Sequence, residues 1–308
     1  MIPSSFDYVA PATLDEAVHL LRMHAGDAKI LAGGQSLIPM LKLRLAEPAM
    51  LIDINRLPGL AYIEERDGAL RIGALAREAD LENAAVVRQR YPILLDTAAV
   101  IADPLVRSSA TICGNIAHGD PGNDHPATML ALGATFVARG PKGTRQIAAR
   151  DFFLGLFSTA LDADEMLTEI VIPRPAPRAA GAYLKLERKV GDYATAAVAA
   201  QVTLDDAGAC MRAGIGLTNV GAMAIAAVRA EEFLRSKPLD PSTIAQAAEI
   251  ASSEADPFED RRGSAEYKRD VVRVLAARAL RLAVTRASGS AVPTPLPFTY
   301  AAPAAMRS

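Results

Sequence analysis

The sequence predicts an α+β chain of two domains, and three observations carry that expectation. Between residues 29 and 54 a strand, a glycine turn, a helix and a second strand follow one another. From Tyr183 to Thr218 come three strand-like runs, and stretches of helical spacing follow them to residue 286. Between the two halves, Pro173 and Pro175 with Ala-Pro-Arg after form a rigid polar break.

Each element has a local cause. Thr13 and Glu16 have capping-box spacing, and Ala17, Leu20 and Leu21 give the first helix an apolar face that Gly26 ends. Lys29 to Ala32 reads as a strand, Ser36 to Leu45 as a helix, and Met50 to Ile54 as a strand. Gly33 and Gly34 sit at the turn, where a backbone without Cβ can take positive φ and approach a ligand, and where the helix that follows offers unpaired N–H groups. A phosphate loop and a plain turn both remain open from this motif alone. From Ala61 to Ala74 two alternating runs flank Asp67-Gly68, a hairpin dipeptide. Leu75 to Val100 is helical in pattern and broken at Tyr91-Pro92, and Glu169 to Ile172 is a strand before the proline break. Beyond it, Tyr183–Arg188, Ala194–Leu204 and Cys210–Thr218 predict a three-stranded antiparallel sheet, turned at Asp205-Asp206-Ala207-Gly208. Helical spacing covers 222–236, 240–253 and 265–286, the second opening at Asp240-Pro241-Ser242. The expected domains are 1–176, with lobes of about 1–57 and 58–176, then 177–286, and an extended tail over 287–308 rich in Pro, Ala and Ser.

Composition narrows the function. With 33 Lys and Arg against 35 Asp and Glu in 308 residues, no extended basic face is implied and nucleic acid is not an expected partner. Apolar runs stop well short of the ~20 residues of a membrane span, and the start lacks a signal-peptide pattern, so a cytoplasmic chain is expected. Cys113 and Cys210, the two cysteines, lie far apart, which excludes a disulfide framework, a CxxC pair and an iron–sulfur site built from this chain alone.

A second loop adds what the glycine turn lacks. Residues Thr111-Ile112-Cys113-Gly114-Asn115-Ile116-Ala117-His118-Gly119-Asp120-Pro121-Gly122-Asn123-Asp124-His125-Pro126 pack hydroxyl, amide, carboxylate and small residues before a helix. Thr111 and Asn115 can donate to phosphate oxygens, Gly114 and Gly119 permit close approach, and Asp124 can accept from sugar hydroxyls or cap the helix up to Leu132. His118, His125, Asp120 and Asp124 leave a metal open as a minor alternative.

Taken together, Ala32-Gly33-Gly34-Gln35-Ser36, Thr111-Ile112-Cys113-Gly114-Asn115 and Ala-His-Gly-Asp-Pro resemble the FAD-binding medium subunit of molybdenum hydroxylases, of the aerobic carbon monoxide dehydrogenase type within the xanthine dehydrogenase family. The resemblance runs from Phe6-Asp7-Tyr8 through Lys185-Leu186-Glu187-Arg188-Lys189 and Gly191-Asp192-Tyr193-Ala194 to the last helices. It implies a two-lobed FAD-binding domain of the vanillyl-alcohol-oxidase and p-cresol-methylhydroxylase type, with FAD between the lobes, and a smaller α+β domain after it. In that frame Ile30, Leu31, Ala32, Gly33, Gly34, Gln35, Ser36 and Leu37 wrap the FAD diphosphate, and Thr111, Gly114 and Asn115 hold it from the second lobe. Asp124 binds the sugar or ribityl chain, Ile101 and Leu167 pack on the adenine or ring system, and Lys185 and Tyr193 lie near the flavin ring. A solvated strand lysine and a turn aromatic are the plainer readings of the last two. No catalytic residue and no metal ligand is expected in this chain. The molybdenum-pterin and two 2Fe–2S clusters belong to a large and a small partner subunit, in a dimer of heterotrimers. The resemblance also allows a station at the inner membrane face through the electron acceptor. Carbon monoxide leads among substrates, before aldehydes and N-heterocycles, and a stand-alone flavin dehydrogenase or oxidase is the competing class. Two residues depart from the family pattern. Gln35 stands where His is common, and Cys113 replaces a glycine, where a left-handed backbone would cost ~1 kcal/mol or more.

Overall fold

A computed structural model of the chain describes residues 2–294 and the backbone of 298–299. The chain folds into two compact units, each assembled from separated segments: residues 2–86, 104–120 and 133–174 form the first, and 87–103, 121–132 and the chain from 175 the second.

The first unit holds two larger sheets and a two-stranded ribbon, Phe153–Gly155 with Ser158–Thr159. Its parallel sheet runs in the order Asp7–Val9, Met50–Asp53, Ala28–Leu31, and the β-turn-α-β unit read from the sequence is its centre. The helix between those strands spans Leu37–Leu43, two residues shorter than expected at its far end, because Arg44 turns left-handed (φ 55°) and closes it. Thr13 caps helix Leu14–Met23 by accepting from the Glu16 N–H at 3.2 Å, and Ala17, Val18 and Leu21 are buried. The other sheet runs Ile63–Arg66, Ala69–Gly73, Met166–Pro173, Thr135–Gly140, Gly143–Ala148, antiparallel throughout. Asp67 (φ 54°) and Gly68 (φ 72°) form its tight hairpin turn.

The second unit is built on one sheet. Strands Ala179–Glu187, Ala194–Leu204 and Cys210–Thr218 form the antiparallel core that the sequence predicts. Two short strands extend it, Ile225–Ala226 beside Gly216–Leu217 and residues 298–299 parallel to Leu186–Glu187. The first of these explains why helix Val228–Leu234 starts later than its helical spacing: the preceding residues are used as a sheet edge. Both faces of this sheet are covered, so the middle strand is a nearly unbroken apolar run rather than an alternating one. On one face Ala196, Val198, Ala200 and Val202 pack with helices Val228–Leu234, Pro241–Glu254 and Ala265–Ala287. Helices Pro92–Ala99 and Asp124–Leu132 also pack on the sheet, and every residue of the latter is buried. Gly214 and Gly216 seat that helix, since a Cβ on either would stand 2.0 Å from the carbonyl oxygens of Ala131 and Ala127. Of the tail expected from residue 287, Ala287 closes the last helix, while residues 295–297 and 300–308 lie outside the described residues.

Candidate cofactor site

In the first unit, strand Ala28–Leu31 delivers Ile30 and Leu31 to the turn Ala32–Ser36, and Leu37 begins the helix after it. Gly33 has no room for a side chain: a Cβ would lie 2.5 Å from the Ser109 carbonyl oxygen and 2.9 Å from the Thr111 nitrogen. Gly34 takes φ 72°, which favours glycine. Among the described residues, the N–H groups of Gly33, Gly34, Gln35 and Ser36 donate to no acceptor. Four consecutive N–H groups left without acceptors on a turn are donors of the kind that bind anions. Gln35 is exposed, and its amide donates back to the Gly33 carbonyl at 3.3 Å.

The segment pressed against Gly33 carries the second motif. Thr111 is buried and caps helix Ile112–His118, accepting from the Gly114 N–H at 3.2 Å while keeping its own proton to donate. Gly114 is exposed and Asn115 half-buried one position on. The strain anticipated at Cys113 is absent, because that residue is helical and buried, its thiol 3.8 Å from the Ile72 carbonyl. Burial, with Glu169 and Glu78 nearby, raises that thiol well above its usual range, so it is an inert packing group. His118 ends the helix against Phe157, ring centroids 5.0 Å apart, and burial lowers its pKa. Leu167 is buried in strand Met166–Pro173.

The second unit gathers a buried polar cluster. Lys185 is not a solvated strand lysine: its Nζ lies 2.9 Å from Asp124 Oδ2, 3.1 Å from the Val100 carbonyl and 3.5 Å from Glu187 Oε2, with the side chain 1% exposed. Asp124 opens its helix as the first helical residue rather than capping it, and its other oxygen accepts from the Tyr183 hydroxyl at 2.6 Å. The Thr218 hydroxyl lies 3.2 Å from the Tyr183 oxygen and donates to it, since the one Tyr183 proton goes to Asp124, and burial beside the Asp124 carboxylate pushes the Tyr183 pKa far up. Burial likewise raises the Glu187 carboxyl, with Lys185 opposing. Tyr183 and Glu187 were missed by the motif reading, although period-two spacing places Tyr183, Lys185 and Glu187 on one face of their strand. Ile101 is buried in this unit, next to Ala102, whose φ of 43° is left-handed. Tyr193 is 48% exposed on a turn braced by Asp192, which accepts from Arg188 and Arg262, each at 3.0 Å. Among the described residues no group of three His, Cys, Asp or Glu is arranged to hold a metal, and no helix is long and apolar enough to cross a membrane.

Comparison with known proteins places this geometry. The family of FAD binding domains in molybdopterin dehydrogenases matches residues 4–175, and the CO dehydrogenase flavoprotein C-terminal domain matches residues 181–283. The chain belongs to the FAD-binding medium subunits of the molybdenum hydroxylase family. It is 44% identical to the carbon monoxide dehydrogenase medium chain of Hydrogenophaga pseudoflava, over 93% of this chain and 99% of that one. Among solved structures, carbon monoxide dehydrogenase from the same organism, in a form lacking the Mo-pyranopterin moiety, superposes with a TM-score of 0.90 at 45% identity, covering 93% of this chain and 99% of that one. Quinoline 2-oxidoreductase from Pseudomonas putida 86 gives 0.86 at 35% identity, covering 93% and 99%. The family's medium subunits carry an FAD-binding domain of this α+β fold, and this chain is an oxidoreductase subunit of that kind.

Proposed function

We propose that this chain passes electrons through FAD from the iron–sulfur clusters of a small partner subunit to an external acceptor, while a large partner subunit oxidises the substrate at molybdenum. The observation that carries the reading is the turn of four unclaimed N–H groups at Gly33–Ser36, pressed by a bare Cα against Ser109–Thr111. Those residues fit a diphosphate: four consecutive N–H groups have no acceptor of their own, and no carboxylate lies within the turn. FAD supplies the ability to take up electrons singly and give them up in pairs. Everything else is the work of this chain's own groups. Ile30 to Leu37 with Thr111, Gly114 and Asn115 hold the diphosphate, and Ile101 and Leu167 offer apolar surface to the rings. Asp124 is held in place by Lys185 and Tyr183 and keeps lone pairs for a sugar hydroxyl. Lys185, matched by two carboxylates, serves to orient Asp124 rather than to present net positive charge. Tyr193, exposed on its turn, shields the flavin ring.

Carbon monoxide is the proposed substrate of the assembled complex, on the strength of 44% identity to a medium chain of that enzyme. The quinoline enzyme's similarity keeps N-heterocycles as the second candidate, with aldehydes after them. The assembly is proposed to be a dimer of heterotrimers. The test is flavin uptake by the purified full chain, with Gly33→Ala beside it. The wild type is expected to bind FAD with the visible bands of an oxidised flavin, and G33A at least about tenfold more weakly, because its Cβ meets backbone that cannot rotate away. A wild-type chain that takes up no FAD overturns the reading, and so does direct bleaching of bound flavin by a small substrate without partner subunits.

A further inference from the structure

We propose that Arg77 is a positioning residue that, with Asn55, ties the Ala32–Ser36 turn to the Ser109–Thr111 segment and so fixes the turn whose N–H groups receive a diphosphate. The proposal rests on the FAD reading above. Arg77 reaches both segments. One guanidinium nitrogen donates to Asn55 Oδ1 at 2.7 Å, and the Asn55 amide donates in turn to the Ala32 carbonyl at 2.8 Å, one residue before Gly33. The other guanidinium nitrogen makes a short hydrogen bond to the Ser109 carbonyl oxygen. That oxygen is the same atom a Cβ on Gly33 would strike. The guanidinium therefore grips the contact point between the two loops from one side, while Gly33 fits against it from the other.

Both ends of the brace are themselves fixed. The Arg77 backbone N–H donates to Asp80 Oδ2 at 3.0 Å, and on either side Glu78 N–H binds the Ala110 carbonyl at 3.0 Å and Ile112 N–H the Ala76 carbonyl at 3.3 Å. Asn55 is aimed by Asp53, whose Oδ1 accepts from the Asn55 backbone N–H at 2.9 Å and side-chain amide at 2.7 Å; the other Asp53 oxygen accepts from the Tyr8 hydroxyl at 2.6 Å. Burial works to raise the Asp53 carboxyl, but these donors outweigh it and hold it below the usual range, so it stays an acceptor at neutral pH. A planar fork suits this place, since two acceptors at fixed separation are met by one rigid group. Lysine keeps the charge but cannot span both.

The test uses the full chain stripped of flavin, as wild type, R77K, R77M, N55A and R77M/N55A. FAD dissociation constants are measured by titration, and the thermal midpoint of each flavin-free protein is measured beside them. The expected result is an FAD affinity about tenfold weaker in R77M and weakened in R77K as well, with flavin-free midpoints within about 3 °C of wild type. The double variant is expected to bind no more weakly than R77M, because both changes cut the same brace. Unchanged FAD affinity in R77M and R77K overturns the proposal. So do fully additive effects of R77M and N55A, or a loss of affinity that follows a collapse of the flavin-free midpoint in R77K. A wild-type chain that binds no FAD overturns the FAD reading itself, an outcome distinct from normal wild-type binding with insensitive variants.

Discussion

Replacing Lys185 by Met is the sharpest probe of the second unit. The Lys185, Glu187 and Asp124 side chains are 1%, 0% and 8% exposed, so one ammonium stands among two carboxylates out of water. Removing it strands both. Asp124 keeps the Tyr183 hydroxyl and Glu187 keeps the Gly191 N–H at 3.3 Å, but neither retains a cation. Breaking a buried ion pair from one side costs about 3–5 kcal/mol. Glu187, its carboxyl already raised by burial, takes up a proton first and limits the loss to about 3 kcal/mol at neutral pH, equivalent to a thermal midpoint lower by about 6–12 °C. Asp124→Asn is expected to be milder, at about 1–2 kcal/mol, because Lys185 keeps Glu187 and the Val100 carbonyl and the Asn oxygen still accepts from Tyr183. The double variant K185M/D124N should lose less than the sum of the two. Urea unfolding followed by far-ultraviolet circular dichroism suits a chain without tryptophan. A K185M protein within about 1 kcal/mol of wild type, or a D124N protein less stable than K185M, refutes the reasoning.

Three further outcomes follow from the same structure. Gly216→Ala should destabilise by about 1–3 kcal/mol, because a Cβ 2.0 Å from the Ala127 carbonyl displaces helix Asp124–Leu132; an unchanged urea midpoint contradicts this. Glu187 has its folded pKa raised above the usual 4.5, so its contribution to stability is fully present below that value and is lost as pH rises through the raised one. Glu187→Gln should therefore lose less stability than wild type between pH 5 and 7, and equal slopes in urea midpoints at the two pH values argue against it. Both thiols should resist a disulfide reagent at pH 8 in the folded protein and react on unfolding, since Cys113 and Cys210 are buried and the Cys210 pKa is pushed up to about 11; rapid release of one equivalent from native protein contradicts the burial argument.

Much of the fold was legible because its signals are local. Thr13 and Glu16 mark a helix start, Asp67-Gly68 a hairpin, and Gly33-Gly34 a turn with special backbone needs, and each is decided within a few residues of itself. What stayed hidden depends on partners distant in sequence. Residues Pro92–Ala99 and Asp124–Leu132 read as ordinary helices, and nothing in their own pattern says that they belong with a sheet that starts at Ala179. Lys185 could be placed near a cofactor by resemblance, yet its burial follows from Gly214 and Gly216, which let a helix close over that face. Arg77 carries no motif at all, and its significance comes from two carbonyls that only folding brings within reach of one guanidinium. The concern over Cys113 failed for a related reason. The loop expected there is the first turn of a helix, where a Cβ costs nothing.

The interleaving of the two units bears on how the chain can be made. Residues 87–103 and 121–132 leave the ribosome well before the sheet that shelters them, and the last helix to cover that sheet ends at Ala287. For the interval in between, a helix with all nine residues destined for burial has nowhere to go. Release before the strand Cys210–Thr218 is made leaves it bare, so a product truncated near residue 176 is a candidate for aggregation and chaperone capture rather than a small working flavoprotein.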